Sequence, residues 1–170
     1  LPIEGQPPAT KPYFCRELGV KYRVIGSHQG IDPLLYLDLR SGRRFIQSVS
    51  ENKSILNLFA YTCGVGVAAV ASGASLAWNI DFSATNLRHG RDNARLNNLP
   101  KQNIRFIQED VIPVIRQLSG LGVKGKARKR KFQRFPIKQF DIVFLDPIAW
   151  SVSSFGAVDI VNDYQGLFKP

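Results

Sequence analysis

The chain has 170 residues, 44% of them hydrophobic, which is enough for one domain with a sizeable core. Its 23 Lys and Arg against 13 Asp and Glu leave a formal net charge of +10, which favours an anionic partner through long-range steering. No apolar run is long enough to span a membrane, no internal repeat or metal-type cluster is evident, and the two cysteines fit a reducing compartment.

Leu1 to Pro12 is proline-rich and polar. It reads as a linker and not as a secretory signal, because it holds no apolar segment. Lys21–Ile25 and Leu34–Leu39 read as two strands around a Gly/Ser/His turn, a hairpin, and Arg43 to Val49 as a short helix. Ser54 opens a short apolar run that ends in a small-residue turn with Gly64 and Gly66, followed by an Ala/Val-rich helical segment. The spacing fits Gly-x-Gly-x-x-Ala, with Ala69 in the last place. Two glycines there let the backbone approach a ligand, and the helix N-terminus offers unpaired N–H groups. Many buried strand–helix turns contain two glycines for packing alone, so the motif needs support from elsewhere.

That support comes from carboxylates. Leu76–Ile80 reads as a strand ending on Asp81, Ile104–Gln108 as one ending on Glu109-Asp110, and Phe140–Leu145 as one ending on Asp146-Pro147. Ala84–Leu96 and Val111–Leu118 read as helices between them. Strands alternating with helices predict a parallel sheet with right-handed crossovers, and ligands sit beyond the carboxyl ends of such strands. One acid after a strand is usually a helix N-cap. Three in register behind a glycine loop make a candidate site.

The motifs Asn57-Leu-Phe-Ala-Tyr-Thr-Cys-Gly-Val-Gly66, Gly73-Ala74, Asp81-Phe-Ser83, Asn93…Asn97, Gln108-Glu-Asp-Val111 and Asp146-Pro147-x-Ala-Trp150 follow one another in a known order. From about Gly30 onward the chain resembles class I S-adenosylmethionine-dependent methyltransferases, in particular the ribosomal RNA large-subunit cytosine methyltransferases. The resemblance implies an α/β, Rossmann-like three-layer sandwich with a mainly parallel sheet, preceded by the small N-terminal hairpin. It divides the chain into an extension at 1–50 and a cofactor-binding domain at 51–170. It implies S-adenosyl-L-methionine as cofactor, with Asn57, Phe59, Tyr61, Thr62, Gly64 and Gly66 around its methionine part. Asp81, with Phe82 and Ser83, would take the ribose hydroxyls, and Asp110 with Val111 the adenine. Asp146, Pro147 and Trp150 would face the methyl group and the target base. Methyl transfer needs alignment more than acid–base chemistry, so the lack of a catalytic triad is consistent with it.

The chain departs from the family pattern in several places. Ile148 stands where the family has a second proline, which restores an N–H and backbone freedom to that loop. Residue 1 is Leu and no Met occurs, so the chain is not expected to start at a start codon. Val158–Tyr164 reads as the helix after the fourth strand, with later strands of the fold absent and one sheet edge open. The family's nucleophilic cysteine lies on such a later strand. Cys63 reads as a small loop residue and Cys15 as a free thiol. His28 and His89 read as solvated.

Charge is concentrated in Lys124–Lys138, which holds eight Lys and Arg and no acid. Taking those eight from 23 leaves 15 basic against 13 acidic residues elsewhere, a net of +2. Lys124, Lys126, Arg128, Lys129, Arg130, Lys131 and Arg134 are candidate RNA contacts, with Phe132 and Phe135 available for base stacking. A solvated basic loop is the plain alternative. The leading expectation is an RNA methyltransferase acting on a ribosomal RNA base, in the cytoplasm or in an organelle matrix or stroma, with no membrane or metal partner. A non-catalytic RNA-binding remnant of the fold and a nicotinamide-dependent oxidoreductase are the alternatives. The latter shares the strand–glycine–helix unit but leaves Asp110 and Asp146 without roles.

Overall fold

The computed structural model describes residues 13–26, 32–123, 131–147, 150–153 and 156–159, the last two stretches as backbone. Strands β3 (Ser54–Leu58), β4 (Leu76–Asp81), β5 (Ile104–Gln108) and β6 (Ile142–Leu145) form a parallel sheet in the order β5-β4-β3-β6. Helix α2 (Gly64–Ala71) joins β3 to β4, and α3 (Ala84–Leu96) joins β4 to β5. Helix α4 (Val111–Leu118) follows β5, and the chain then crosses back to place β6 on the far side of β3. The order therefore reverses between β3 and β6, where sheets of this kind bind ligands.

Near-continuous apolar strands mark a sheet buried on both faces. Ile55, Ala77 and Ile104 point to one face with Ile46 of α1 (Arg40–Val49), Val67 of α2 and Leu87 of α3. Leu56, Leu58, Trp78, Ile80 and Ile107 point to the other, against Val111, Val114 and Leu118 of α4. The result is three layers, with helices on both sides of the sheet. Phe135 and Phe140 complete the second core, with ring centroids 5.9 and 5.3 Å from that of Trp78. Phe135 is thus committed to packing and is not an open stacking platform, and Phe140 precedes β6 instead of starting it.

The hairpin exists but is displaced from its predicted position. Strand β1 (Tyr13–Glu17) pairs antiparallel with β2 (Val20–Val24). Leu18 at φ 50° and Gly19 at φ 85° make the tight turn, both left-handed as a type I′ turn demands. Leu34–Leu39, expected as the second strand, is bends and turns. Leu34 lies at φ 64°, its N–H is held by Asp32, and Leu34 and Leu35 turn into the core instead of pairing. Asn93 and Asn97 cover the outer edge of β2: Asn93 accepts from Arg23 N–H, while Asn97 accepts from Lys21 N–H and donates to Lys21 C=O. One helix turn apart, on α3 and at its C-terminal cap, these amides stand in for a third strand.

Helix α1 begins at Arg40, three residues before its predicted start. At the other end, β7 (Trp150–Ser153) pairs antiparallel with β8 (Gly156–Asp159), so Val158 and Asp159 are strand and not the start of a helix. The rest of that predicted helix, His28, Ile148, the linker 1–12 and Lys124–Arg130 lie outside the described residues. His89 is half-buried on α3. Burial, with Arg23 and Arg88 nearby, lowers its pKa, and its Nδ1 has no partner. It is therefore not the solvated side chain expected.

Candidate cofactor site

A cavity of about 220 Å³ opens at the carboxyl ends of β3, β4 and β6. Asn57, Phe59, Tyr61, Thr62, Gly64, Asp81, Phe82 and Asp146, all named from the sequence, contribute to its lining. Its loop is wound through three left-handed residues, Phe59 at φ 53°, Tyr61 at 49° and Cys63 at 61°. Each such non-glycine residue costs about 1–3 kcal/mol, so the surroundings must hold the loop.

Several contacts do so. Ala60 N–H donates to Ile80 C=O, Thr62 Oγ1 to Leu34 C=O, and Tyr61 N–H to Asp81 Oδ2 at 2.7 Å. Ser83 N–H takes the other Asp81 oxygen at 2.8 Å. Asp81 is only 5% exposed. Burial pushes its pKa up to about 6 despite the hydrogen bonds from Ser83 and Asn86, which pull it down. A costly buried carboxylate with remaining acceptor capacity stands at the cavity wall.

Asp146 is exposed at the cavity mouth, and its pKa is raised, first by partial withdrawal from water and then by Asp38. Below the loop, Asn57 Nδ2 donates to Asn79 Oδ1 at 2.9 Å, and Asn79 Nδ2 donates to Arg105 C=O. Gly66 is not among the lining residues. A Cβ there would stand 2.0 Å from Asn79 Oδ1, so its role is close helix–strand packing. Gly90 likewise makes room for Cys63, since its Cβ would meet Sγ at 2.5 Å. Burial drives the Cys63 thiol well above its usual range and raises Cys15 as well, which makes both poor nucleophiles.

Other named residues serve neighbouring structure. Ser83 caps α3 by accepting from Asn86 N–H, and Asp110 caps α4 by accepting from Ile112 N–H. Val111 is buried in the second core, and neither it, Ser83, Asp110 nor Pro147 lines the cavity. Trp150 opens β7. Lys131 is exposed, and Arg134 stacks over Phe132 with 4.7 Å from Cζ to the ring centroid. Glu109 accepts from Gln133 N–H, which sets Gln133 beside the carboxyl end of β5.

Sequence reasoning missed Tyr36, Arg43, Asn86 and Phe144, which also line the cavity. Phe144 could have been found, because it alternates with Ile142 and pairs in register with Asn57. Arg43 carries no such signal. It is buried and held by both Glu17 oxygens, at 2.6 and 2.9 Å, across 26 residues of sequence. That pair neutralises the one cation among the described residues of the wall. What remains is a pocket of aromatic rings and carboxylates. Tyr36 and Tyr61 lie 5.1 Å apart between centroids, and the Tyr61 hydroxyl bonds to Asp32. Aromatic faces and acids suit a flat heterocycle, a ribose and a sulfonium cation.

The S-adenosylmethionine-dependent methyltransferase family model matches residues 4–169. The chain belongs to that family. Its cofactor is S-adenosyl-L-methionine, which displaces the nicotinamide alternative. The chain is 32% identical over 165 residues to ribosomal RNA large subunit methyltransferase I of Aeromonas salmonicida, covering 97% of this chain and 37% of that protein. It is 34% identical over 157 residues to ribosomal RNA large subunit methyltransferase K/L of Pseudoalteromonas translucida, covering 91% and 20%. The chain thus spans well under half of these relatives. Among solved structures, the protein SMU.776 complexed with SAH matches at TM-score 0.76 and 23% identity, over 97% of this chain and 39% of that one. A SAM-dependent methyltransferase from Agrobacterium tumefaciens matches at TM-score 0.69 and 21% identity, over 98% and 49%. These two establish the fold.

Proposed function

We propose that this chain forms the cofactor-binding part of an RNA methyltransferase whose substrate is a base of ribosomal RNA. The observation that carries the cofactor part is Asp81, a buried carboxylate at the end of β4 whose oxygens are aimed by Tyr61 and Ser83 N–H groups. The remaining lone pairs of Asp81 would accept the two ribose hydroxyls. Tyr36, Tyr61, Phe59 and Phe82 would enclose the rest, and Asp110 would serve the adenine end one strand away. Bound S-adenosylmethionine supplies a methyl group on a sulfonium, an electrophile that needs an in-line nucleophile and little else.

The chain's own part is to hold and align. The Asn57–Asn79 amide pair and the clamped loop fix the cavity floor, and Asp146 at the mouth favours positive charge inside. The names of the relatives support ribosomal RNA as acceptor, and the +10 net charge is in keeping with it. Gln133 is held at the carboxyl end of β5 by Glu109 and Gln108, which supports its neighbours Lys131 and Arg134 as phosphate contacts.

Titrating the chain calorimetrically with S-adenosylhomocysteine, with NADH as control, and then with large-subunit ribosomal RNA tests both halves. Saturable binding of the first and of RNA is expected. Selective NADH binding would overturn the cofactor assignment, and SAH binding with no RNA affinity at low salt would overturn the acceptor class.

A further inference from the structure

A second surface lies away from the cavity, on the flank built by the hairpin and α3. Two recesses of about 250 and 340 Å³ adjoin there and share Arg95. The first takes Arg91, Lys101 and Phe106 in its walls, and the second takes Phe14, Arg23 and Asp92. Arg88, Arg91 and Arg95 fall three and four residues apart, so they form one stripe along α3. The neighbouring face of the helix, which carries Leu87, Gly90 and Ala94, is buried.

The charge of this stripe is only partly matched internally. Asp92 is the one acid among the described residues of either recess, and it is shared between Arg23 at 2.5 Å and Arg95 at 3.0 Å. Arg95 stays 72% exposed. Arg91 lies over the Phe106 ring at 5.3 Å, and Lys101 has no ion-pair partner among the described residues. Phe14 is 64% exposed on the hairpin, an aromatic face with nothing stacked on it among the described contacts. Cations in a row beside an open aromatic ring, in a concave surface, are what a single nucleic-acid strand requires.

We infer that the α3–hairpin flank is a docking surface for a single-stranded stretch of the RNA substrate, with phosphates along Arg91, Arg95 and Lys101 and a base on Phe14. This rests on the RNA reading above. Asn86, near the start of the same helix, lines the cofactor cavity, so Arg95 stands roughly 14 Å further along the helix axis. RNA held on this stripe would thus be tethered within a few nucleotides of the cavity, independently of the basic segment at 124–138.

The test compares the full chain with R91A/R95A/K101A and with Phe14→Ala. The probe is a short fluorescent single-stranded RNA, followed by anisotropy between about 50 and 200 mM salt. Three lost phosphate contacts should flatten the log–log salt slope by about 2. Phe14→Ala should weaken binding about tenfold and leave the slope unchanged, because stacking releases no counterions. Affinity for S-adenosylhomocysteine should be the same in all three, which reports an intact fold. An unaltered slope in the triple variant, with RNA still bound by the parent, would overturn this surface and leave the RNA reading standing. No RNA binding by the parent would overturn both. Polyglutamate binding that the triple substitution abolishes, with RNA affinity and its salt slope unaltered by that substitution, would assign the flank to an acidic protein instead.

Discussion

Asp81 combines two properties that conflict in the free chain. Its carboxyl is buried and its pKa is raised to about 6, so ionising it costs folding free energy. For an acid whose folded pKa lies above the unfolded one, the folded state binds the extra proton. Its stabilising contribution is complete below pH about 4 and is lost as pH rises through about 6, in all about 3 kcal/mol. Cofactor binding needs the ionised acceptor and should reverse that preference. We therefore expect S-adenosylhomocysteine affinity to fall about tenfold for each pH unit below 6, and binding at pH 6 to release protons, measured by titration in buffers of different ionisation enthalpy.

Gly66 provides a second residue-scale test. Gly66→Ala forces a Cβ against an Asn79 side chain that is fully buried and bonded to both Asn57 and Arg105. The cost should be about 1–3 kcal/mol in urea unfolding, with weaker cofactor binding because Asn57 lines the cavity. The glycines, Asp81 and Asp146 were legible because strand ends and small-residue turns are local patterns. The packing role of Gly66 was not, since it depends on a side chain 13 positions away.

Among elements, the strands β3 to β5 and helices α3 and α4 could be read from their periodicity and caps. The N-terminal region could not. The apolar run Leu34-Leu-Tyr-Leu reads as a strand, yet Leu34 and Leu35 are recruited into the core, Leu37 stays exposed and the backbone turns, because β2 already finds an edge in Asn93 and Asn97. The hairpin is fixed by interactions remote in sequence, above all Glu17 with Arg43. Removing one partner of a buried pair strands the other. Glu17→Ala should therefore destabilise the chain by about 3–5 kcal/mol in chemical denaturation, and Glu17→Gln by less. Asn97→Ala should loosen the hairpin selectively, raising amide exchange in β1 and β2 while β3 and β4 stay protected.

On the scale of the whole molecule, the sheet order, the strained loop and the carboxylates converge on one end of the sheet. Two basic regions, one at 124–138 and one on α3, are separate in sequence. Each should contribute to RNA affinity through its own salt dependence, and cofactor affinity should respond to neither. The cavity is where the account stands or falls. The most direct measurement is calorimetric titration of S-adenosylhomocysteine into the parent chain and Asp81→Asn at neutral pH. The account predicts saturable one-site binding by the parent, weakened by tenfold or more in the variant, about the worth of one or two hydrogen bonds to a charged acceptor. Equal affinity in the two folded proteins would contradict it.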